Sequence, residues 1–179
     1  MNQSVLVIHT DKESAGFEIF RTLYMDKPYT VVDEPDISPD ELRQLIAEHD
    51  VIILIGCFVH DGLLATNPIT LKDFVLIDDS YIELLRQKTV YSIGGRRYFE
   101  KHNVPGLHIG TILTSSFEAS LYEIDVQEEE IISSALRLIS IIGDTIQVQT
   151  PREKKAKILA GYDGFDSVSL FNINEIIAL

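Results

Sequence analysis

The sequence predicts an α/β protein: a single three-layer domain in which a mostly parallel β-sheet is covered by helices on both faces. Two observations lead to this prediction. Short, almost unbroken apolar runs alternate with amphipathic segments, as in proteins whose strands are buried beneath helices. Several amphipathic segments also begin at helix-capping sequences. No linker, repeat or low-complexity segment interrupts residues 1–179, so we expect one domain.

The first third of the chain contains three predicted strands. Residues 5–8 form a run rich in β-branched side chains, and residues 29–32 form a second short run. Residues 10–13, with the sequence T-D-K-E, are a capping box and predict a helix between these two strands. Residues 38–41 form another capping box, with proline at the first helical position. The helix that they predict leads into Val51–Ile55, the most hydrophobic strand.

In the middle of the chain, predicted strands and helices again alternate after a predicted loop. Residues 62–70 contain glycine, asparagine and proline and predict that loop. An apolar run at residues 74–77 precedes a helix that is expected to start near Ser80. Thr89–Ile93 is the next predicted strand, and Arg96–His102 is predicted to be a short helix.

The last third carries further helix caps. Residues 107–113 predict a strand, and Ser115 begins a capping sequence for a short helix. Residues 150–153 cap a final polar helix, and the apolar residues 168–171 predict a terminal strand.

The longest predicted helix covers residues 126–142, with Gly143 as its stop. Its apolar positions recur at helical spacing and are expected to be buried. Periodicity leaves open whether they pack into the core or form a homodimer interface. These positions are Ile131, Ile132, Ala135, Leu138, Ile139 and Ile142.

Composition narrows the classes of partner. Acidic residues outnumber basic ones by 28 to 15, for a net charge of −13. A field of this sign repels phosphate backbones and anionic lipids, so we expect no nucleic-acid or membrane partner. The one cysteine excludes an internal disulfide, and His102 and His108 lack partners at ligand spacing, so we assign no metal. Without signal-peptide features or a bilayer-length apolar run, the chain is predicted to be cytoplasmic.

The candidate site lies where the predicted strands end, because ligands of open α/β sheets bind outside the carboxyl ends of the strands. No loop there contains a dinucleotide fingerprint, a Walker A sequence or a nucleophile elbow. We therefore assign no cofactor. The loops that satisfy this condition are residues 9–11, 56–62, 94–97 and 114–116.

The loop after the third strand carries the only thiol, Cys57, with His60 and Asp61 close in sequence. A nearby imidazole can activate a thiol as a nucleophile. One hypothesis is therefore a hydrolase or transferase in which Cys57 attacks and His60 or His9 acts as the base. The alternative is a buried, structural thiol, since cysteine is among the most buried residue types.

The loop after Thr89–Ile93 offers a different chemistry. Two glycines can expose backbone N–H groups, and two arginines can clamp a phosphate or carboxylate. A flavodoxin-like protein that binds a nucleotide or small anion is therefore a second hypothesis. The alternative is a tight turn whose arginines pair with Glu100 or Asp78. The candidate ligand-binding residues are Gly94, Gly95, Arg96, Arg97, His9 and Ser115.

The order of features over residues 50–120 resembles the caspase-like cysteine peptidases of clan CD, including the CHAT type. In that family a His-Gly pair follows one strand in a context like G-H-G-x-x-x-G-L-L, and the catalytic cysteine follows the next core strand. Here residues 56–64 read G-C-F-V-H-D-G-L-L. The first glycine and the trailing G-L-L match, while Cys57 and Phe58 replace the His-Gly pair. Gly94 stands where the nucleophile is expected.

The resemblance implies a caspase-like fold in which both catalytic positions are missing. A glycine cannot attack a carbonyl, and a thiol lacks the near-neutral acid–base exchange of imidazole. The leading hypothesis is therefore a catalytically inactive protein that acts as a binding or interaction module. Its partner is expected to be another protein or a small anionic ligand, held at residues 56–62 and 94–97.

Overall fold

The computed structural model describes residues 3–10, 12, 16–34, 36–146, 150–162 and 166–179. Within these residues the strands are β1 (Val5–His9), β2 (Thr30–Val32), β3 (Val51–Ile55), β4 (Phe58–Val59), β5 (Gly62–Thr66), β6 (Asp73–Ile77), β7 (Thr89–Ile93), β8 (Gly106–Ile109) and β9 (Ile176–Ala178). The α-helices are α1 (Pro39–Glu48), α2 (Ile82–Leu85), α3 (Arg96–His102), α4 (Ser116–Leu121), α5 (Glu128–Thr145), α6 (Pro151–Gly161) and α7 (Ser167–Asn174). Glu18–Leu23 and Asp79–Tyr81 are 3₁₀ helices.

A six-stranded sheet organises these elements. Its order is β2-β1-β3-β7-β8-β9. The first five strands in this order are parallel to one another, and β9 runs antiparallel to β8. The prediction of an α/β domain with a mostly parallel sheet is confirmed. The parallel strands follow the order of flavodoxin-like doubly wound sheets, in which ligands bind at the carboxyl edge of the strands.

Side chains of the central strands alternate between two core layers, because successive residues of a strand point to opposite faces. Val5 and Val7 of β1 pack in the layer that contains α5 and α6, whereas Leu6 and Ile8 pack in the layer that contains α1 to α3. Every residue of β1 and β3 is buried. The predicted covering of the sheet by helices on both faces is therefore confirmed.

The apolar stripe of α5 belongs to the core, with one exception. Ile132 was expected to be buried but is 38% exposed. It follows the inward-facing Ile131, and one residue turns the helix by about 100° away from the core. The buried members of the stripe are Ile131, Ala135, Leu138, Ile139 and Ile142.

Three predicted helix caps are present. Ser38 accepts a hydrogen bond from the backbone N–H of Glu41 at 3.2 Å, and Ser115 caps α4 in the same way. Thr150 and Glu153 form a complete capping box at the start of α6. The capping box predicted at residues 10–13 falls half outside the described residues, which do not include residues 11 and 13. The helical element described after it is the 3₁₀ helix Glu18–Leu23.

The loop predicted over residues 62–70 was wrong for residues 62–66, which form a strand, whereas residues 67–70 do form a loop with a turn. The strands β4, β5 and β6 form a separate antiparallel sheet, and Gly62 begins β5. Gly62 has a φ of +138°, and a Cβ there would lie 1.9 Å from the Ile77 carbonyl oxygen. The glycine that indicated a loop instead allows close approach of two strands.

The C-terminal strand was predicted in the wrong place. Residues 168–171 lie within α7, which Asp166 caps through the backbone N–H of Ser169. A four-residue apolar run does not distinguish a strand from one face of a buried helix. The terminal strand is β9, which pairs with β8.

Two other boundaries also differ from the prediction. The strand β8 was predicted over residues 107–113 but ends at Ile109. Gly143 was expected to stop the long helix but lies inside α5. The closest atom to a Cβ placed on Gly143 would be 3.8 Å away, on Leu23, so the position suits continued helix.

Lys154 of α6 is an unusual member of the core. Its side chain is fully buried, and its Nζ lies 4.2 Å from the centre of the Tyr91 ring. Within the described part of the chain the ammonium group has no hydrogen-bond partner. Burial disfavours the charged form and lowers the pKa of Lys154 to about 8.

This burial makes stability depend on pH in the alkaline range. The pKa of Lys154 is about 8 in the folded chain and about 10.4 in the unfolded chain. Between these two pH values the unfolded chain therefore binds more protons than the folded chain. The free energy of unfolding is therefore expected to rise by about 3 kcal/mol across this window. Lys154→Met should lack that rise. Urea unfolding of both proteins on either side of the window measures it, and the same pH dependence in both would contradict the prediction.

Candidate functional site

The main chains that follow β3 and β7 are in close contact. Gly56 donates its N–H to the Ile93 carbonyl at 3.3 Å, and Gly94 donates its N–H to the Ile109 carbonyl at 3.0 Å. Gly94 has a φ of +89°, and a Cβ on it would lie 2.3 Å from the Gly56 carbonyl oxygen. Both the conformation and the contact favour glycine. Position 94 therefore has no room for a side chain.

The backbone donor that the sequence predicted at Gly94 is not free to bind a ligand. The N–H of Gly94 is already used within the sheet. Gly95 is buried, and a Cβ on it would lie 3.0 Å from ring atoms of Phe58 and Phe99. Glycine at position 95 instead lets aromatic rings pack against the main chain.

Cys57 is exposed, so the interpretation as a buried thiol was wrong. It is the second residue after β3 and directly precedes the hairpin of β4 and β5, whose register pairs Phe58 with Leu63. His60 lies at the tip of this hairpin. Three residues of extended chain separate Cys57 and His60 by about 10 Å between their Cα atoms. The structure therefore does not bring the thiol and the imidazole together.

His60 interacts with its sequence neighbour instead. Its Nδ1 lies 2.8 Å from Oδ1 of Asp61, and the two side chains are 80% and 78% exposed. An ion pair this exposed contributes little to stability. His60 and Cys57 line different, adjoining cavities.

His9 belongs to the core rather than to a site. It is fully buried, and its Nδ1 lies 3.0 Å from the Tyr24 hydroxyl. Burial lowers the pKa of His9 to about 4. The alternation along β1 places it on the same inward face as Val5 and Val7, so neither the base nor the ligand-binding role predicted for it fits.

Ser115 also serves a structural purpose. Its Oγ accepts from the backbone N–H of Glu118 at 3.2 Å and thereby caps α4. It lines a cavity with Glu18 and Arg21, apart from the arginines of α3. Its predicted place in one ligand set with Arg96 and Arg97 is therefore wrong.

A basic cleft of about 560 Å³ lies over the ends of β7 and β8. Arg97 and Lys101 line it from α3, and both side chains are exposed. Residues four apart on a helix share a face, and like charges there repel one another. Neither cation has a hydrogen-bond or ion-pair partner within the part of the chain that the structure describes. Other lining residues are Phe58, Val59, His60, Arg96, Tyr98, Tyr122 and Glu175.

The role of Lys101 was missed from sequence. The usable signal was its spacing of four from Arg97 within a predicted helix. The contribution of Tyr122 had no such signal, because it reaches the cleft from the loop after α4.

Arg96 has a partner that the sequence did not indicate. Its Nη1 donates to the Asn174 carbonyl at 2.8 Å and lies 3.4 Å from Oε1 of Glu175. The expected partners were Glu100 or Asp78, but Asp78 instead accepts from the N–H of Ser80. Glu175 reaches Arg96 because α7 and β9 return the chain to the edge of β8.

A smaller cavity of about 270 Å³ adjoins the basic cleft. Cys57 lines it together with the aromatic rings of Phe17 and Phe20. Its acidic lining residue, Glu118, accepts from both the N–H and the hydroxyl of Thr114 at 2.8 Å. The surroundings of Cys57 are thus mainly apolar, without a cation beside the thiol among the lining residues.

The comparisons with known proteins add little to this geometry. No protein-family model and no curated protein matches the sequence. One similar solved structure is described as a crystal structure of CapF with the inhibitor 3-isopropenyl-tropolone; it is 10% identical, with a TM-score of 0.36. The alignment covers 76% of this chain, which spans only 46% of the length of that chain. Similarity at this level carries no argument about function.

The described residues lack both a metal-binding cluster and a membrane-spanning helix. None of their histidine, cysteine, aspartate and glutamate side chains forms a group of three or more that could hold a metal ion. None of their helices is both long enough and apolar enough to cross a membrane.

The separation of Cys57 from His60 can be measured through thiol reactivity. His60→Ala is expected to leave the rate of alkylation of Cys57 by iodoacetamide within about twofold of wild type, since an imidazole this far away does not stabilise the thiolate. The urea-unfolded chain provides the reference rate for an unstructured thiol. A roughly tenfold loss of rate in His60→Ala would show that the imidazole activates Cys57.

Proposed function

We propose that this protein is a catalytically inactive, caspase-like binding module that holds an anionic ligand in the basic cleft. The proposal joins two features of the same sheet edge. One is the absence of room for a nucleophile after β7, and the other is the cluster of positive charge beside it. The charge of the cleft carries the functional part of the proposal.

The resemblance to caspase-like peptidases gains support from the strand order. It assigns the histidine position to Cys57 and the nucleophile position to Gly94. Since β3 and β7 are neighbours in the sheet, these positions follow adjacent strand ends, as a catalytic pair requires. The strand order therefore agrees with the places that the resemblance gives to the two catalytic positions, although position 94 itself has no room for a side chain.

The loss of catalysis is supported by the packing at Gly94. A cysteine at this position would place its Cβ within 2.3 Å of the Gly56 carbonyl oxygen. The remaining thiol, Cys57, follows β3 instead, and His60, the histidine that follows it in the loop, lines a different cavity. A nucleophile and its base must lie within hydrogen-bond reach of one another. We therefore expect no cysteine-dependent hydrolysis from this edge.

The binding of an anion is supported by the distribution of charge. The chain has a net charge of −13, yet Arg96, Arg97 and Lys101 line one cleft with Glu175 as its carboxylate. Two of these cations lie one helical turn apart without an acidic partner in the described chain. A bound carboxylate or phosphate would relieve their mutual repulsion.

The experiment measures thermal unfolding with inorganic phosphate, ATP and a hexaglutamate peptide. At least one probe should raise the melting temperature of wild type, since binding to the folded state alone stabilises it, by about 2.7 kcal/mol at about 100 times Kd. Arg97→Ala/Lys101→Ala should reduce the shift strongly, because it removes both unpaired cations of the cleft.

The matched control is Lys27→Ala/Lys72→Ala, which removes two exposed positive charges outside the cleft. It should keep the wild-type shift. The proposal fails if no probe stabilises wild type, or if both double variants respond equally. Equal shifts in both double variants would mean that anion binding depends on the overall charge of the protein or takes place outside the cleft.

A further inference from the structure

One carboxylate already occupies part of the basic cleft. Glu175 follows α7, and its Oε1 lies 3.4 Å from Nη1 of Arg96. Both side chains are partly buried, with 29% and 27% of their surface exposed. Partial burial strengthens an ion pair relative to one on the open surface. Arg96 therefore already has an anionic partner within the protein.

The Glu175 carboxylate rests against the main chain after β8. A Cβ placed on Gly110 would lie 1.9 Å from Glu175 Oε2 and 3.1 Å from its Cδ. The backbone of Gly110 does not have a positive φ, so its conformation does not require glycine. The lack of a side chain at position 110 is what lets the carboxylate sit beside Arg96.

Arg96 has binding capacity beyond this pair. Its Nη1 is the atom that contacts both Asn174 and Glu175, while a guanidinium carries five N–H donors. The bond to the Asn174 carbonyl, at 2.8 Å, is independent of the Glu175 carboxylate. Arg96 therefore stays anchored at the cleft when Glu175 moves away, and its fork is ready for another anion.

We infer that Glu175 is an internal competitor for the ligand of the basic cleft. Its carboxylate holds Arg96 in the unliganded protein, and the anionic group of the ligand displaces it. This inference rests on the proposed function, since it concerns the regulation of the same site. Rotation of the Glu175 side chain away from Arg96, with the Asn174 carbonyl still in place, would control how much of the positive charge a ligand meets.

Two variants of different chemistry separate displacement from charge. Glu175→Gln removes the negative charge, whereas Gly110→Ala keeps it and moves the carboxylate by placing a methyl group where Oε2 lies. Glu100→Gln is the control, because it removes an exposed negative charge from α3 outside the lining of the cleft. Thermal melts first establish that each variant is folded.

Calorimetric titration then measures Kd for whichever of phosphate, ATP and hexaglutamate shifts wild type most. Glu175→Gln and Gly110→Ala should each bind about threefold to tenfold more tightly than wild type, with Glu100→Gln close to wild type. Three results would overturn the inference but leave the proposed anion binding intact. They are an unchanged affinity in Glu175→Gln, an equal gain of affinity in Glu100→Gln, and a gain that is confined to Glu175→Gln. Absence of binding in all four proteins would instead contradict the proposed function.

Discussion

The close contact between Gly56 and Gly94 determines what this sheet edge can do. The two residues follow adjacent strands, and a hydrogen atom is the largest substituent that fits at position 94. A positive φ strengthens this requirement, because residues with a Cβ rarely adopt it. Main-chain atoms therefore occupy the space in which the caspase-like resemblance predicts a reactive side chain. The polar side chains near this edge come from the surrounding helices and loops.

The charge of α3 becomes informative in this setting. Arg97 and Lys101 repel one another on an otherwise acidic protein, and such an arrangement is disfavoured in a helix without a counter-ion. Arg96 has its counter-ion in Glu175, at the far end of the chain. Among the described residues, the cleft thus contains one cation with an acidic partner, Arg96, and two without one, Arg97 and Lys101. This uneven pairing is what an anion-binding site with an internal competitor requires.

The sequence was sufficient for the parts of the fold that local pattern controls. The buried run at Val51–Ile55 and the capping box at Thr150 indicated their elements correctly. It was not sufficient where tertiary contacts decide, as at Gly62, which allows a close strand pairing rather than a loop. The site shows the same division: Arg97 was found from its type and place, whereas Glu175 was missed because 79 residues separate it from Arg96.

The most direct measurement concerns the requirement for glycine after β7. Gly94→Ala should lower the free energy of urea unfolding by about 2–4 kcal/mol, from backbone strain and the clash with the Gly56 carbonyl. Gly143→Ala, in the open interior of α5, is the matched control and should raise it by about 0.5–1 kcal/mol. If Gly94→Ala is as stable as wild type, a side chain fits at this position, and the central claim that the edge cannot hold a nucleophile is contradicted.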